Sequence, residues 1–79
     1  MSATLIFLGR LEDIAGGAER TVAVGPFAAV LAALEPQLAE ALREPFIRMA
    51  LNGVLVADPQ TVLLADGDEL AFLPPVSGG

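Results

Sequence analysis

Asn52-Gly53 sits between two apolar runs in "FIRMALNGVLVAD" (residues 46–58). That dipeptide between apolar segments is the strongest short-range signal for a β-hairpin closed by a type I′ turn. A two-residue loop leaves no freedom in register. It sets Leu51 opposite Val54, Ala50 opposite Leu55 and Met49 opposite Val56. Cross-strand partners point to the same side of a sheet. Met49, Leu51, Val54 and Val56 therefore share the face available to a core, and Arg48, Ala50 and Leu55 share the other.

The remaining punctuation gives a strand over residues 4–8 and one helical turn over 10–17, closed by Gly16 and Gly17. A second strand spans 20–24, with Val22 and Val24 on one side. The clearest helix runs over 25–36, with Pro26 at its first helical position and an apolar stripe of Phe27, Val30, Leu31 and Leu34. Pro36 ends it and opens a short helix to residue 44 that buries Leu38 and Leu42, and Pro45 stops that. A loop from Pro59 and an Asp66-Gly67-Asp68 turn lead to a last strand over 69–73. Strand, strand, helix, hairpin, strand is the order of an α+β domain with one main helix packed across a mixed sheet.

Alternation splits the outer strands in the same way. If Phe7 and Phe72 point to the core, then Ile6, Leu8, Ala50, Leu55, Ala71 and Leu73 lie on the opposite face. One helix cannot cover both faces. An apolar outer face of that extent marks a protein–protein surface.

Composition removes several functions. The 79 residues carry no Cys, no His and a net charge of −6, and the apolar share is 54%. No disulfide, thiol nucleophile or zinc site can form, and the imidazole used in most acid–base catalysis is missing. The acidic balance disfavours nucleic acid and anionic membranes as partners. "MSATLIFLGR" lacks the basic start of a secretion signal, and no apolar run approaches the ~20 residues of a membrane span, so the expected location is the cytoplasm. Asp66, Asp68 and Glu69 form the one acidic cluster, whose spacing fits a turn rather than a calcium loop. No metal site is expected.

The chemistry is left to the tail, "PPVSGG". Pro74 and Pro75 cannot donate to a sheet ladder, so the last strand stops there. They favour extended geometry, so residues 74–79 reach roughly 19 Å beyond a domain of residues 1–73 at ~3.1 Å per residue. Val76 and Ser77 continue the segment, and Gly78 and Gly79, without Cβ atoms, can thread a slot too narrow for other residues. They deliver a carboxylate that is ionised at neutral pH, with a reference pKa of about 3.3–3.7. An ionised carboxylate resists nucleophiles until another protein activates it, for example as an acyl-adenylate.

The order of elements and the Gly-Gly end resemble the ubiquitin-like β-grasp sulfur carriers. Within them, "DGDELAFLPPVSGG" (residues 66–79) resembles the end of the molybdopterin synthase small subunits, the molybdenum cofactor sulfur carriers. "ALNG" (50–53) and "LEDIAG" (11–16) fit that family more loosely. The resemblance implies a β-grasp (ubiquitin-like) fold with a protruding C-terminal tail. It implies that an E1-like adenylyltransferase uses ATP to activate the Gly79 carboxylate, which becomes a thiocarboxylate. The tail then enters the molybdopterin synthase large subunit and donates sulfur to cyclic pyranopterin monophosphate within a heterotetramer. The chain itself would bind no cofactor and carry no catalytic site. Partners would meet the outer face at Ile6, Leu8, Leu55, Ala71 and Leu73. Leu73 is aliphatic where the family commonly has an aromatic residue, a departure that bears on affinity rather than chemistry. Thiamine sulfur carriers also end in Gly-Gly but are usually shorter and lack Pro-Pro-Val. A modifier conjugated to lysines, or a carrier that also serves tRNA thiolation, would show the same end, and a binding domain with an inert tail is the structural alternative.

Overall fold

A computed structural model describes residues 1–75 of the chain. Strand β1 (Ser2–Phe7) leads into α1 (Leu11–Ala15) and β2 (Glu19–Ala23). Then come β3 (Gly25–Pro26), α2 (Phe27–Ala32), α3 (Pro36–Leu42), β4 (Arg48–Leu51) and β5 (Val54–Leu55). A 3₁₀ turn (Pro59–Thr61), β6 (Leu63–Leu64) and β7 (Glu69–Leu73) complete the described residues. Five strands form one sheet in the order β2-β1-β7-β4-β5, and β3 pairs separately with β6. β1 and β7 run parallel, while the other neighbours in the larger sheet are antiparallel. The sheet is mixed, as expected, with β7 at its centre.

One face of that sheet is the core. Leu5, Phe7, Leu70 and Phe72 are at most 1% exposed, and Met49 joins them from β4. Phe7 and Phe72 stack with ring centroids 5.8 Å apart. The helices cover this face with the stripe read from the sequence: Phe27, Val30, Leu31 and Leu34, then Leu38 and Leu42, are all buried. Arg20 pins the connections together. Its Nη2 donates to the Ala15 carbonyl at 2.8 Å and to Glu35 Oε2 at 3.0 Å, joining the end of α1 to the start of α3.

Three expectations need correction. The main helix is shorter than residues 25–36, because Gly25-Pro26 pairs with Leu63-Leu64 as a two-residue strand. Pro26 therefore caps α2 in extended geometry (ψ 154°) instead of opening it as the first helical residue. Proline's fixed φ suits either state, and the bond from the Phe27 N–H to the Val62 carbonyl (3.1 Å) selects the extended one. Second, the stretch expected as a plain connecting loop from Pro59 holds the 3₁₀ turn (Pro59–Thr61) and the short strand β6 (Leu63–Leu64). Third, Val54 has the parity of the core but is 70% exposed, because β5 is the sheet edge and no helix reaches over it.

The Asp66-Gly67-Asp68 segment is a turn, and its carboxylates are tied into the protein. Asp68 Oδ2 accepts from the Ala65 N–H (2.8 Å) and Oδ1 from Asn52 Nδ2 (3.0 Å). Asn52 Oδ1 accepts from the Glu69 N–H (2.9 Å), and Asp66 Oδ1 from the Ser2 N–H (2.9 Å). The hairpin turn, the start of β1 and the start of β7 are thus joined at one end of the sheet. The bonds from Ala65 and then Asn52 hold the Asp68 carboxyl below the usual carboxylate range. A depressed folded pKa adds stability that is fully present above the unfolded value, about 3.9, and disappears as pH falls through the folded value. Asp68→Ala is expected to melt below wild type at pH 7, with the gap in Tm narrowing as the pH is lowered beneath about 4. A gap that stays constant from pH 7 to pH 3 in thermal melts would contradict this role.

Candidate functional site: the outer sheet face and the root of the tail

The register of the sheet assembles the outer face row by row. Ile6 lies beside Ala71, Ala71 beside Ala50, and Ala50 beside Leu55. These four residues form one apolar line across β1, β7, β4 and β5. Leu73 lies next to Arg48 in the adjacent row. Leu8 follows β1 and is 42% exposed, and Leu55 is 66% exposed. Ile6, Ala71 and Leu73 are half-buried. Ile6, Leu55, Ala71 and Leu73 therefore share the face opposite the helices, and Leu8, the fifth residue expected to bind a partner, is exposed just past the end of β1.

β7 delivers the tail. Its ladder ends at Leu73, paired with Arg48 of β4, while on the β1 side the Leu8 N–H donates to the Phe72 carbonyl at 3.2 Å. Pro74 and Pro75 follow, the first half-buried and the second exposed. Val76, Ser77, Gly78 and Gly79, on which the reactive end was placed, lie outside the described residues.

A groove of about 650 Å³ runs beside the tail root, with Phe46, Arg48, Val56, Leu73, Pro74 and Pro75 in its wall. Phe46 is 47% exposed there. Sequence reading passed over it, although an aromatic residue directly after Pro45, ahead of a strand, was a visible signal. The face carries few charges: Arg48 stands in the row of Leu73, Glu19 closes the row of Ile6 at the β2 edge, and Glu69 lies beside Thr4 in the row beyond. Among the described residues no polar side chain is buried, no group of His, Cys, Asp and Glu could hold a metal ion, and no helix is long and apolar enough to cross a membrane. This arrangement presents a surface and a stiff exit strand.

A model of the ThiS family matches residues 5–79. Among solved structures, SAMP1 from Haloferax volcanii shares 26% identity and a TM-score of 0.81, with 100% of each chain covered. A chain in the complex of subunits 1 and 2 of Molybdopterin-converting factor from Helicobacter pylori 26695 shares 26% identity and a TM-score of 0.72, again over 100% of both chains. CysO from Mycobacterium tuberculosis has the same fold at 23% identity and a TM-score of 0.77, over 94% of this chain and 99% of that one. The fold is the β-grasp of the ubiquitin-like sulfur carriers, as the sequence resemblance implied.

Proposed function

The chain belongs to the ThiS family, and from that membership we propose that it is the sulfur carrier subunit of a molybdopterin synthase. The observation that carries this reading is the segment "DGDELAFLPPVSGG", whose strand part is the central β7 and whose proline pair leaves the sheet at the tail root. Support comes also from the full-length likeness to a chain of the two-subunit Molybdopterin-converting factor complex.

In this function the Gly79 carboxylate attacks the α-phosphorus of ATP on an E1-like adenylyltransferase. Pyrophosphate leaves and an acyl-adenylate forms. A sulfur donor displaces AMP, which gives the thiocarboxylate. The large subunit then binds the outer face around Ile6, Leu8, Leu55, Ala71 and Leu73 and receives the tail. Two sulfurs pass in turn to cyclic pyranopterin monophosphate, each delivery returning Gly79 to a carboxylate. The domain contributes the docking surface and the direction of the tail, and the large subunit supplies the catalytic groups.

A second reading is favoured by the match to SAMP1, small archaeal modifier protein 1. Here the same acyl-adenylate is passed to an amine of a target protein. One experiment separates the two. The chain is incubated with its activating enzyme, ATP and a sulfur donor, and its intact mass is followed. Gain of one sulfur for one oxygen, then loss of that sulfur on adding the large subunit and cyclic pyranopterin monophosphate, is the expected result. A mass that never changes with a competent activating enzyme would sink the carrier reading. Appearance of a lysine-linked adduct in place of sulfur transfer would favour the modifier.

A further inference from the structure

Gly9 and Pro74 are 65 residues apart in sequence and touch at the root of the tail. Gly9 has φ +56°, and a Cβ built on it would lie 2.9 Å from Pro74 Cγ and 3.8 Å from Pro74 Cδ. The first separation is one that real Cβ atoms essentially never show. Glycine is thus required twice over here, by a left-handed backbone and by the proline ring lying where a side chain would begin.

Gly9 cannot retreat from that ring. Before it, Phe7 is buried and its N–H donates to the Ala18 carbonyl at 2.8 Å. After it, Leu11 is buried, and the Gly9 carbonyl accepts from the Glu12 N–H at 3.2 Å in the first turn of α1. Pro74 is the freer partner, since the β7 ladder ends just before it, at Leu73 paired with Arg48, and a proline has no N–H to extend it. The backbone around Pro74 is nonetheless stiff. Leu73 and Pro74 each precede a proline, which confines both to extended geometry, and each proline has a fixed φ. A push on the Pro74 ring is therefore carried into the direction of the chain beyond it.

We propose that Gly9 is a positioning residue for the tail: its bare Cα is the rest on which Pro74 lies, and it sets the angle at which the segment leaves the sheet. The consequence for catalysis rests on the carrier function proposed above. The contact itself does not.

Three variants test it: Gly9→Ala, Gly9→Asn, and Gly9→Ala combined with Pro74→Ala. Asn accepts left-handed backbone more readily than Ala but brings the same Cβ. Gly9→Asn should therefore melt closer to wild type than Gly9→Ala does, while both lose kcat/KM for adenylation by roughly 10- to 100-fold, the scale of an ångström-sized misplacement. Removing the ring in the double variant should recover most of that loss without recovering the Tm. If Gly9→Asn restores activity along with stability, or the double variant is no faster than Gly9→Ala, the positioning role is overturned.

NMR of the full chain decides the contact without any enzyme. Wild type should show NOEs between the Gly9 Hα and the Pro74 ring, and Gly9→Asn should shift the Pro75 resonances. Absence of both overturns the contact. A wild-type chain that shows the NOEs but is never adenylated overturns the carrier function and leaves the contact standing.

Discussion

Leu73→Asp is expected to weaken the complex with the large subunit by at least about 100-fold, because an unpaired charge buried at an interface costs on the order of 3–5 kcal/mol. Leu73 sits on the outer face beside Arg48, in the row next to Ala71 and Ala50. Its side chain is half-buried in the free chain, so the substitution removes little core packing. The folding penalty is confined to the poor strand propensity of Asp, within about 1 kcal/mol, or a fall of about 4–8 °C in Tm for a domain of this size. Calorimetric titration against the large subunit, with a thermal melt on the same sample, checks both halves. Unchanged affinity in a folded Leu73→Asp chain would move the interface off this face. Arg48 does not rescue the variant, since an exposed ion pair contributes at most about 1 kcal/mol.

Why the outer face could be read from the chain, and the Gly9 contact could not, comes down to range. The Asn52-Gly53 turn is local. Its φ values of 51° and 85° are those of a type I′ turn, and it pairs Leu51 with Val54 and Ala50 with Leu55 as expected. The Val56 N–H bonds the Met49 carbonyl (2.8 Å) in the same register. Once the period of two is anchored there, Phe72 against Met49 places every other β7 residue on a known face. Gly16 likewise shows its left-handed cap (φ 80°) in sequence.

The pairing of Gly25-Pro26 with Leu63-Leu64 joins residues almost forty positions apart through strands too short to carry a periodic pattern. It was invisible for that reason, and it is also why α2 begins two residues late. The turn at Pro59–Thr61 did carry a signal that a plain loop assignment overlooked. Asp58 accepts from the Gln60 N–H at 3.0 Å, an N-cap directly before a proline. Asp66 and Asp68 were recognisable as turn residues, but not as the clasp joining the hairpin to β1, because that depends on where β7 lies in the sheet. For the proposed reactive end at Gly79, the type and order of the residues are the whole of what is legible, since residues 76–79 lie outside the described structure.

One residue before Leu73 the expected outcome reverses. Phe72→Ala should cost about 3–5 kcal/mol of stability with no direct loss of a partner contact. Phe72 is fully buried, stacks on Phe7, and meets Phe27 of α2 with ring centroids 6.5 Å apart. It is the point where the central strand, its parallel neighbour and the covering helix come together. A domain of 79 residues has a stability of about 4–12 kcal/mol at ~0.05–0.15 kcal/mol per residue. The substitution therefore removes between a quarter and all of it, and Tm should fall by tens of degrees at about 4–8 °C per kcal/mol. Far-UV circular dichroism is the suitable probe, because the chain has no Trp or Tyr to report by fluorescence. A drop smaller than about 5 °C would mean that the cavity collapses and that the Phe7–Phe72 stack is not the keystone of the core. Binding adds a second check. Held well below its own Tm, Phe72→Ala still carries Leu73, Leu55 and Ile6 on the outer face, so the folded fraction should bind the large subunit with near-normal affinity. Leu73→Asp should fail to bind at any temperature, and that contrast between adjacent residues separates the face that holds the domain together from the face that meets a partner.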